Sequence, residues 1–154
     1  MTYRVRFHWA LAAMVLVATA SCSGAQVTEP LPGYPFAQAT RDCAPFDGPA
    51  VTVVLRPSAD SLEAAGPQLR VSIWLSPENV AGATFRSSDD PVRGYAQECR
   101  GNWECDAIPE WRVHFARFGS DSTLEGTLEL GRADGSIRQG TFRAAWQSRQ
   151  VFCG

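Results

Sequence analysis

The stretch WRVHFARFGSDSTLEGTLELGRADGSIRQGTFRAAW, residues 111–146, decides the fold class of this 154-residue chain. Apolar and polar residues alternate through it in three runs, and a period of two is typical of β-strands that bury one face. The runs begin near Trp111, Leu124 and Ile137, and GSDS and RADGS separate them. Because Asp-Gly tolerates the positive φ of tight hairpins, the second spacer predicts a hairpin turn. The stretch therefore predicts three consecutive antiparallel strands.

Within the third run, the apolar phase shifts around Gly140, between Ile137 and Phe142. A β-bulge at this glycine would account for the shift. After this run, RQVFCG (149–154) predicts a last strand that ends on Cys153.

The upstream sequence continues the same pattern with short elements. VTVVLR (51–56) and LRVSIWL (69–75) predict strands, and PSADSLEAAG between them predicts one short helix. SPENVAG (76–82) predicts a single helical turn with Pro77 at its first position. About seven short strands without a long helix indicate an all-β fold, either an antiparallel β-sandwich or a small barrel.

The first 21 residues predict a secretory signal. MTYRVRFHW carries two arginines and no acid, and the uncharged run 10–20 is shorter than the ~20 residues that span a bilayer. Thr19-Ala20-Ser21-Cys22 resembles the bacterial lipobox, in which a signal peptidase cuts before a lipid-bearing cysteine, although the family prefers Leu where this chain has Thr19. The resemblance implies lipidation of Cys22 and a membrane anchor. Cuts after Ala20 or Ala25 would instead give ordinary secretion or a periplasmic protein.

These features divide the chain into a signal peptide (1–21), a lipid-anchored, proline-rich tether (22–42) and a β-domain (43–154). Proline favours extended geometry at ~3.1 Å per residue, so about 19 tether residues could reach roughly 60 Å. The expected location is a bacterial cell envelope. Ser23 follows the lipobox where the enterobacterial signal for inner-membrane retention has Asp, which favours the outer membrane.

Cysteine counting agrees with this division. If one of the five cysteines, Cys22, carries lipid, an even set of four remains, and an oxidising envelope would pair them into two disulfides. Three pairings of four cysteines exist. Spacing favours Cys99 with Cys105 across five residues, and Cys43 with Cys153 across the whole domain. Chain entropy gives about 2.4 kcal/mol for the small ring and about 4.7 kcal/mol for the large one.

Charge and composition exclude several functions. All 16 acids and 12 of the 14 arginines follow Cys22, so the mature part has a net charge of −4. A non-specific nucleic-acid binder needs a cationic surplus, and nucleic acid is therefore excluded as a partner. The chain has no lysine, which excludes Schiff bases, Ser-x-x-Lys acyl enzymes and the P-loop lysine.

Catalytic motifs are scarce. His114 is the only histidine after Cys22, and alternation places it on the polar side of its strand, so neither a histidine triad nor a multi-histidine zinc site is predicted. No metal or cofactor is expected. Acids cluster at Asp89-Asp90 and at Glu104, Asp106 and Glu110. Two of these carboxylates, if they faced each other, could hydrolyse a glycoside.

The clearest candidate for a binding surface is the loop CRGNWEC, residues 99–105. There, Trp103 lies between Arg100 and Glu104, and a short disulfide would hold it as a rigid aromatic anchor of the kind that interfaces favour. The alternative is that Trp103 folds back and covers the end of the β-domain.

Three functions are consistent with these features. The first is a non-enzymatic envelope lipoprotein that is anchored to the membrane and binds an envelope protein or glycan, or has a structural role. The second is a carboxylate-dependent hydrolase of cell-wall or extracellular glycans. The third is an inhibitor of an exogenous enzyme.

The absence of lysine gives a direct test of complete acylation. If the chain is cut before Cys22, and Cys22 is then lipidated and N-acylated, the mature protein has no primary amine. An amine-reactive label should therefore leave its intact mass unchanged. Precursor protein, which keeps the amino group of Met1, serves as the control and should gain one label. Stoichiometric labelling of the mature protein would rule out the fully acylated form.

Overall fold

Nine β-strands form one continuous sheet that curls into a half-barrel, in a computed structural model that describes residues 27–59, 66–101, 104–119 and 121–154. Every neighbouring pair of strands is antiparallel except β1 and β9, which run parallel. Across the sheet the order is β4-β7-β8-β9-β1-β2-β3-β5-β6. In chain order, the strands are β1 (Phe36–Cys43), β2 (Pro49–Arg56), β3 (Gln68–Ile73), β4 (Thr84–Arg86), β5 (Gly94–Cys99), β6 (Cys105–Ala107), β7 (Trp111–Phe118), β8 (Thr123–Gly131) and β9 (Ile137–Gln147).

The all-β class predicted from the alternating pattern is confirmed. The described residues contain nine strands rather than about seven. The three-residue strands β4 and β6 are too short for a readable period, and β1 and β5 were not among the predicted strand segments. Of the two expected architectures, the small barrel is the nearer one, because a single curled sheet forms a half-barrel. Its parallel pair makes the sheet mixed rather than purely antiparallel.

Alternation along the strands gives the sheet one strongly buried inner face. Strand register aligns Ala39, Val53, Val71 and Ala96 in one row across β1, β2, β3 and β5, and each is at most 1% exposed. Residues of the same phase on the other half of the sheet complete the core. These are Phe85, Trp111, Val113, Phe115, Leu124, Leu128, Leu130, Phe142 and Ala144.

The folded domain begins earlier than predicted. The boundary at Cys43 is wrong, because β1 starts at Phe36 and pairs along its whole length with β2. Upstream of β1, Leu31 and Tyr34 are buried, at 1% and 8% exposure. Residues 29–42, read from their prolines as a tether, therefore belong to the fold.

The N-terminal strap, residues 29–35, lies alongside β9 and then passes over the inner face. The Leu31 amide donates to the carbonyl of Thr141 at 3.0 Å, and the Thr141 amide donates to the carbonyl of Glu29 at 2.7 Å. A Cβ atom on Gly140 would lie 2.2 Å from the Cα of Leu31 and 2.4 Å from its nitrogen. Only glycine leaves room at this position for the backbone of the strap.

This close approach replaces the bulge predicted at Gly140. The register of β8 and β9 runs without a shift through the glycine. Ile137 falls out of the apolar phase because it points away from the core and is 68% exposed. The register shift instead lies in β7, between Phe115 and Arg117.

Two disulfides hold the ends of the domain and one end of the sheet. Cys43 is bonded to Cys153 and Cys99 to Cys105, with Cα–Cα distances of 5.5 and 4.0 Å. These are the pairs that the spacing favours. The strand predicted over 149–154 is absent, so Cys153 reaches Cys43 on an irregular chain end.

The helical predictions have different outcomes. A 3-10 turn over Pro77–Asn79 confirms the single turn, with proline at its start. The helix expected within 57–66 falls mainly on residues 60–65, which lie outside the described residues. Within the described part of the chain, no helix has the length and apolarity needed to cross a membrane.

Substitution Gly140→Ala should destabilise the domain, because the new methyl group would push the strap away from β9. Overpacking of this kind costs about 1–3 kcal/mol, which urea denaturation would measure as a lower free energy of unfolding. The control is Gln139→Ala, an exposed change on the neighbouring residue, which should stay within about 0.5 kcal/mol of wild type. Equal stability of the two variants would show that the strap does not need the glycine.

Candidate functional site

A cleft of about 900 Å³ opens at one end of the half-barrel. The end of β5, the segment from β6 to β7 and the β8–β9 hairpin turn meet there, and the strap contributes one residue. The lining residues are Tyr34, Pro67, Glu98, Cys99, Arg100, Asp106, Ala107, Ile108, Pro109, Glu110, Leu130, Gly131, Arg132, Ala133, Gly135 and Arg138. The cleft thus combines apolar walls with three arginines and three acids.

Two charged residues enter the cleft because they lie in the inward phase of their strands. Glu98 follows the buried Ala96 by two residues on β5, so both share the inner face. Arg138 pairs with the buried Leu130 across β8 and β9 and has the same orientation. The strap then brings Tyr34 over both charges. β5, β9 and the strap thus contribute one residue each to a single polar cluster.

Three hydrogen bonds hold the Tyr34–Glu98–Arg138 cluster together. The Tyr34 hydroxyl donates to Oε1 of Glu98 at 2.5 Å, and Nη1 and Nη2 of Arg138 donate to the same oxygen at 3.2 and 3.3 Å. The guanidinium carbon of Arg138 lies 5.2 Å from the centroid of the Tyr34 ring. This distance is within cation–π range. The side chain of Arg138 is 12% exposed and that of Glu98 is 41% exposed.

Hydrogen-bonding capacity remains in this cluster. All three bonds to Glu98 end on Oε1, and among the described residues none reaches Oε2. The Nε of Arg138 is buried and has no hydrogen-bond partner within the described part of the chain. Since the cluster lines the cleft, Glu98 presents a partly exposed carboxylate oxygen to it.

Protonation equilibria keep Glu98 ionised and Tyr34 neutral. Partial burial by itself would raise the pKa of Glu98, but the hydrogen bonds from Tyr34 and Arg138 and the charge of Arg138 outweigh it and lower that pKa. Burial, followed by the hydrogen bond to Glu98 and its negative charge, raises the pKa of Tyr34 to about 12. At neutral pH, the Tyr34 hydroxyl therefore donates a hydrogen bond to a carboxylate that only accepts.

Of the described residues of the predicted binding surface, Arg100 lines the cleft and Glu104 does not. Arg100 lines the cleft and forms an ion pair with Asp106, with Nη2 and Oδ2 2.5 Å apart, and both side chains are mostly exposed. Glu104 is exposed, does not line the cleft, and accepts the Arg100 amide through its backbone carbonyl. Trp103 lies outside the described residues, so a surface centred on it stays a prediction.

The other polar residues noted in the sequence do not form a catalytic group with His114. Its ring lies on the outer face of the sheet, where Nδ1 is 3.0 Å from Oγ1 of Thr84, and it is half-buried. Asp89 accepts the amide of Arg86 at 2.8 Å in a loop. Asp106 and Glu110 line the cleft. No group of three or more metal-binding side chains occurs among the described residues.

Sequence reasoning missed all three members of the cluster. Tyr34 was assigned to the tether because prolines surround it. The signal for the other two was present, since Glu98 and Arg138 are charges in the apolar phase of strands. A charge in that phase is rarely buried unless it is paired.

Comparisons with protein-family models, with curated proteins and with solved structures found no match for this chain.

The lowered pKa of Glu98 predicts a specific pH dependence of stability. A carboxylate whose pKa is lower in the folded state stabilises the fold above its ordinary pKa of 4.5, and this contribution is lost as the pH falls through the folded value. The difference in free energy of unfolding between wild type and Glu98→Gln should therefore be largest above pH 4.5 and shrink in more acidic solution. Urea denaturation across this range would measure it.

The matched control is Glu104→Gln, an exposed glutamate outside the cluster, which should stay within about 0.5 kcal/mol of wild type at neutral pH. A wild-type to Glu98→Gln difference that does not change with pH would contradict the proposed role of the Glu98 charge.

Proposed function

We propose that this protein is a lipid-anchored component of a bacterial cell envelope whose β-domain binds another envelope molecule in the cleft. The observation that carries the proposal is the partly exposed Glu98 carboxylate, which Tyr34 and Arg138 hold in place inside a concave site. Convergent polar groups between apolar walls are typical of ligand sites. The role is recognition rather than catalysis.

Cysteine usage supports the envelope location and the anchor. The two disulfides engage Cys43, Cys99, Cys105 and Cys153, and disulfides persist mainly in oxidising compartments. The remaining cysteine is Cys22, in the stretch that resembles a lipobox. A secreted protein with one surplus thiol normally uses it, and lipidation is such a use.

The early start of the fold brings the domain close to its anchor. Because the strap begins at Glu29, six residues separate it from Cys22, rather than the longer tether predicted from the prolines. Six fully extended residues reach roughly 20 Å. The domain would then stay near the membrane surface, within reach of molecules embedded in it or lying against it.

Glu98 does not suit the role of general acid in a glycan hydrolase. The general acid of such an enzyme needs a raised pKa so that it can donate a proton. The interactions of Tyr34 and Arg138 with Glu98 have the opposite effect, because they lower its pKa. The third expectation, inhibition of an exogenous enzyme, requires a partner from outside the envelope and stays a prediction.

Substitution of Cys22 tests the anchor. Wild-type protein produced in a Gram-negative host should enter the detergent-rich phase of a phase-partitioning assay, and its intact mass should include the diacylglyceryl group. Cys22→Ser should lose both properties, while Ser23→Ala, which leaves the cysteine in place, should keep them. A detergent-phase protein without added lipid mass would overturn the anchor.

Blocking the cleft tests recognition. Ala107 is exposed on the edge strand β6 and lines the cleft, so Ala107→Phe should narrow the cleft with little effect on the core. The control Ala145→Phe adds the same bulk at an exposed position on β9 outside the cleft. Cross-linking in native envelope should capture the same molecules with wild type and the control but not with Ala107→Phe. Identical capture by all three proteins would place recognition elsewhere.

A further inference from the structure

We infer that the cleft is a saccharide site, in which Glu98 and Arg138 bind the hydroxyl groups of a neutral oligosaccharide. This inference rests on the proposed function of the cleft in recognition and names the class of its ligand.

Hydrogen-bonding chemistry favours hydroxyl groups. A carboxylate only accepts and a guanidinium only donates, whereas a hydroxyl does both. Oε2 of Glu98 has no partner among the described residues, and each Nη of Arg138 uses one of its two hydrogens on Glu98. Two adjacent hydroxyls on a sugar ring can donate to Oε2 and accept from Arg138 at the same time. A charged-group hydrogen bond of this kind is stronger than a neutral one.

The charge balance of the cleft favours a neutral ligand. Its arginines are Arg100, Arg132 and Arg138, and its acids are Glu98, Asp106 and Glu110, so the formal charges cancel. Two of the three arginines are already ion-paired within the cleft, to Asp106 and to Glu98. Neither an anion nor a cation would find a surplus of opposite charge.

Shape and wall chemistry fit a sugar chain. At about 900 Å³, the cleft lies in the upper range of small-molecule sites. Ala107, Ile108, Pro109 and Leu130 provide apolar surface beside the polar cluster. A pyranose ring presents C–H faces and hydroxyl edges in the same alternation, so its faces can pack on these side chains while its edges reach Glu98.

Stability considerations support a binding role for Arg138. The residue occupies an inward strand position opposite the buried Leu130, and its Nε is buried without a partner among the described residues. A buried unsatisfied donor costs stability, and an apolar residue would often serve as well in a purely structural role. Recognition of a ligand by the Nη hydrogens would explain why a charged residue occupies this inward position.

The test titrates three neutral sugars, chitotriose, cellotriose and maltotriose, into mature full-length protein in a detergent without a sugar headgroup. Trialanine, a zwitterionic peptide, is the comparison probe. Isothermal titration should show at least one saccharide with a dissociation constant of about 1 mM or tighter and no binding of trialanine.

Variants locate the binding. Glu98→Gln should weaken saccharide binding about tenfold or more, and Ala107→Phe should weaken it by narrowing the cleft. Glu125→Gln, which alters an ion-paired glutamate of β8 outside the cleft, should bind as wild type does. Near-ultraviolet circular dichroism confirms that each variant is folded. Should Glu98→Gln fail to fold, Ala107→Phe still tests whether the sugar binds in the cleft, because this variant leaves the Tyr34–Glu98–Arg138 cluster unchanged.

Each of the following outcomes would overturn the saccharide inference, and each can be distinguished from a failure of the proposed recognition function. Equal saccharide binding by wild type and Ala107→Phe would place the sugar outside the cleft. Binding of trialanine instead of sugars would make the ligand a peptide. If no sugar binds, the saccharide class is wrong, and the envelope capture with Ala107→Phe still shows whether the cleft recognises anything.

Discussion

The parallel pairing of β1 with β9 is the contact on which the rest of the structure depends. β1 is the central strand, with β4-β7-β8-β9 on one side of it and β2-β3-β5-β6 on the other. Pairing runs from Ala37 opposite Ala144 to Thr40 opposite Gln147. Without β1, the sheet would separate into two four-stranded halves, and neither half could enclose a core.

This pairing joins distant parts of the chain, and closing so long a loop is entropically unfavourable. The disulfide between Cys43 and Cys153 lies at the end of β1 and spans a separation of 110 residues. By restricting the unfolded chain, it offsets part of that entropy. The strap extends the contact along β9, and Gly140 allows its close approach. The contact of β1 and the strap with β9 thus joins the two ends of the domain, connects the two halves of the sheet and positions Tyr34.

The cleft exists because this arrangement places charges on the inner face. Glu98 and Arg138 come from the two halves of the sheet, on β5 and β9, and meet only because the sheet curls. Tyr34 then covers them from the strap, with its hydroxyl bonded to Glu98 and its ring against the guanidinium of Arg138. The same bonds that make the burial tolerable also keep Glu98 ionised and oriented.

Alternating patterns by themselves determined most of the strands. Residues 111–118 and 123–131 were readable because each buries one face against a continuous core, which forces a period of two. The Asp-Gly turn was readable because Gly135 needs a positive φ, observed at 80°. The disulfide pairs were favoured by spacing alone. Such features are local, or depend only on distance along the chain.

Only the tertiary structure decided the start of the domain, the role of Gly140 and the cleft. Proline-rich residues 30–35 have no period of their own, and a hydrogen bond from the Leu31 amide to the carbonyl of Thr141 holds them against β9. The phase shift at Gly140 looked like a bulge because the backbone of Leu31, which requires the glycine, is more than a hundred residues away in sequence. Tyr34, Glu98 and Arg138 are likewise far apart along the chain. Their meeting depends on strand order and sheet curvature, which a local periodicity does not encode.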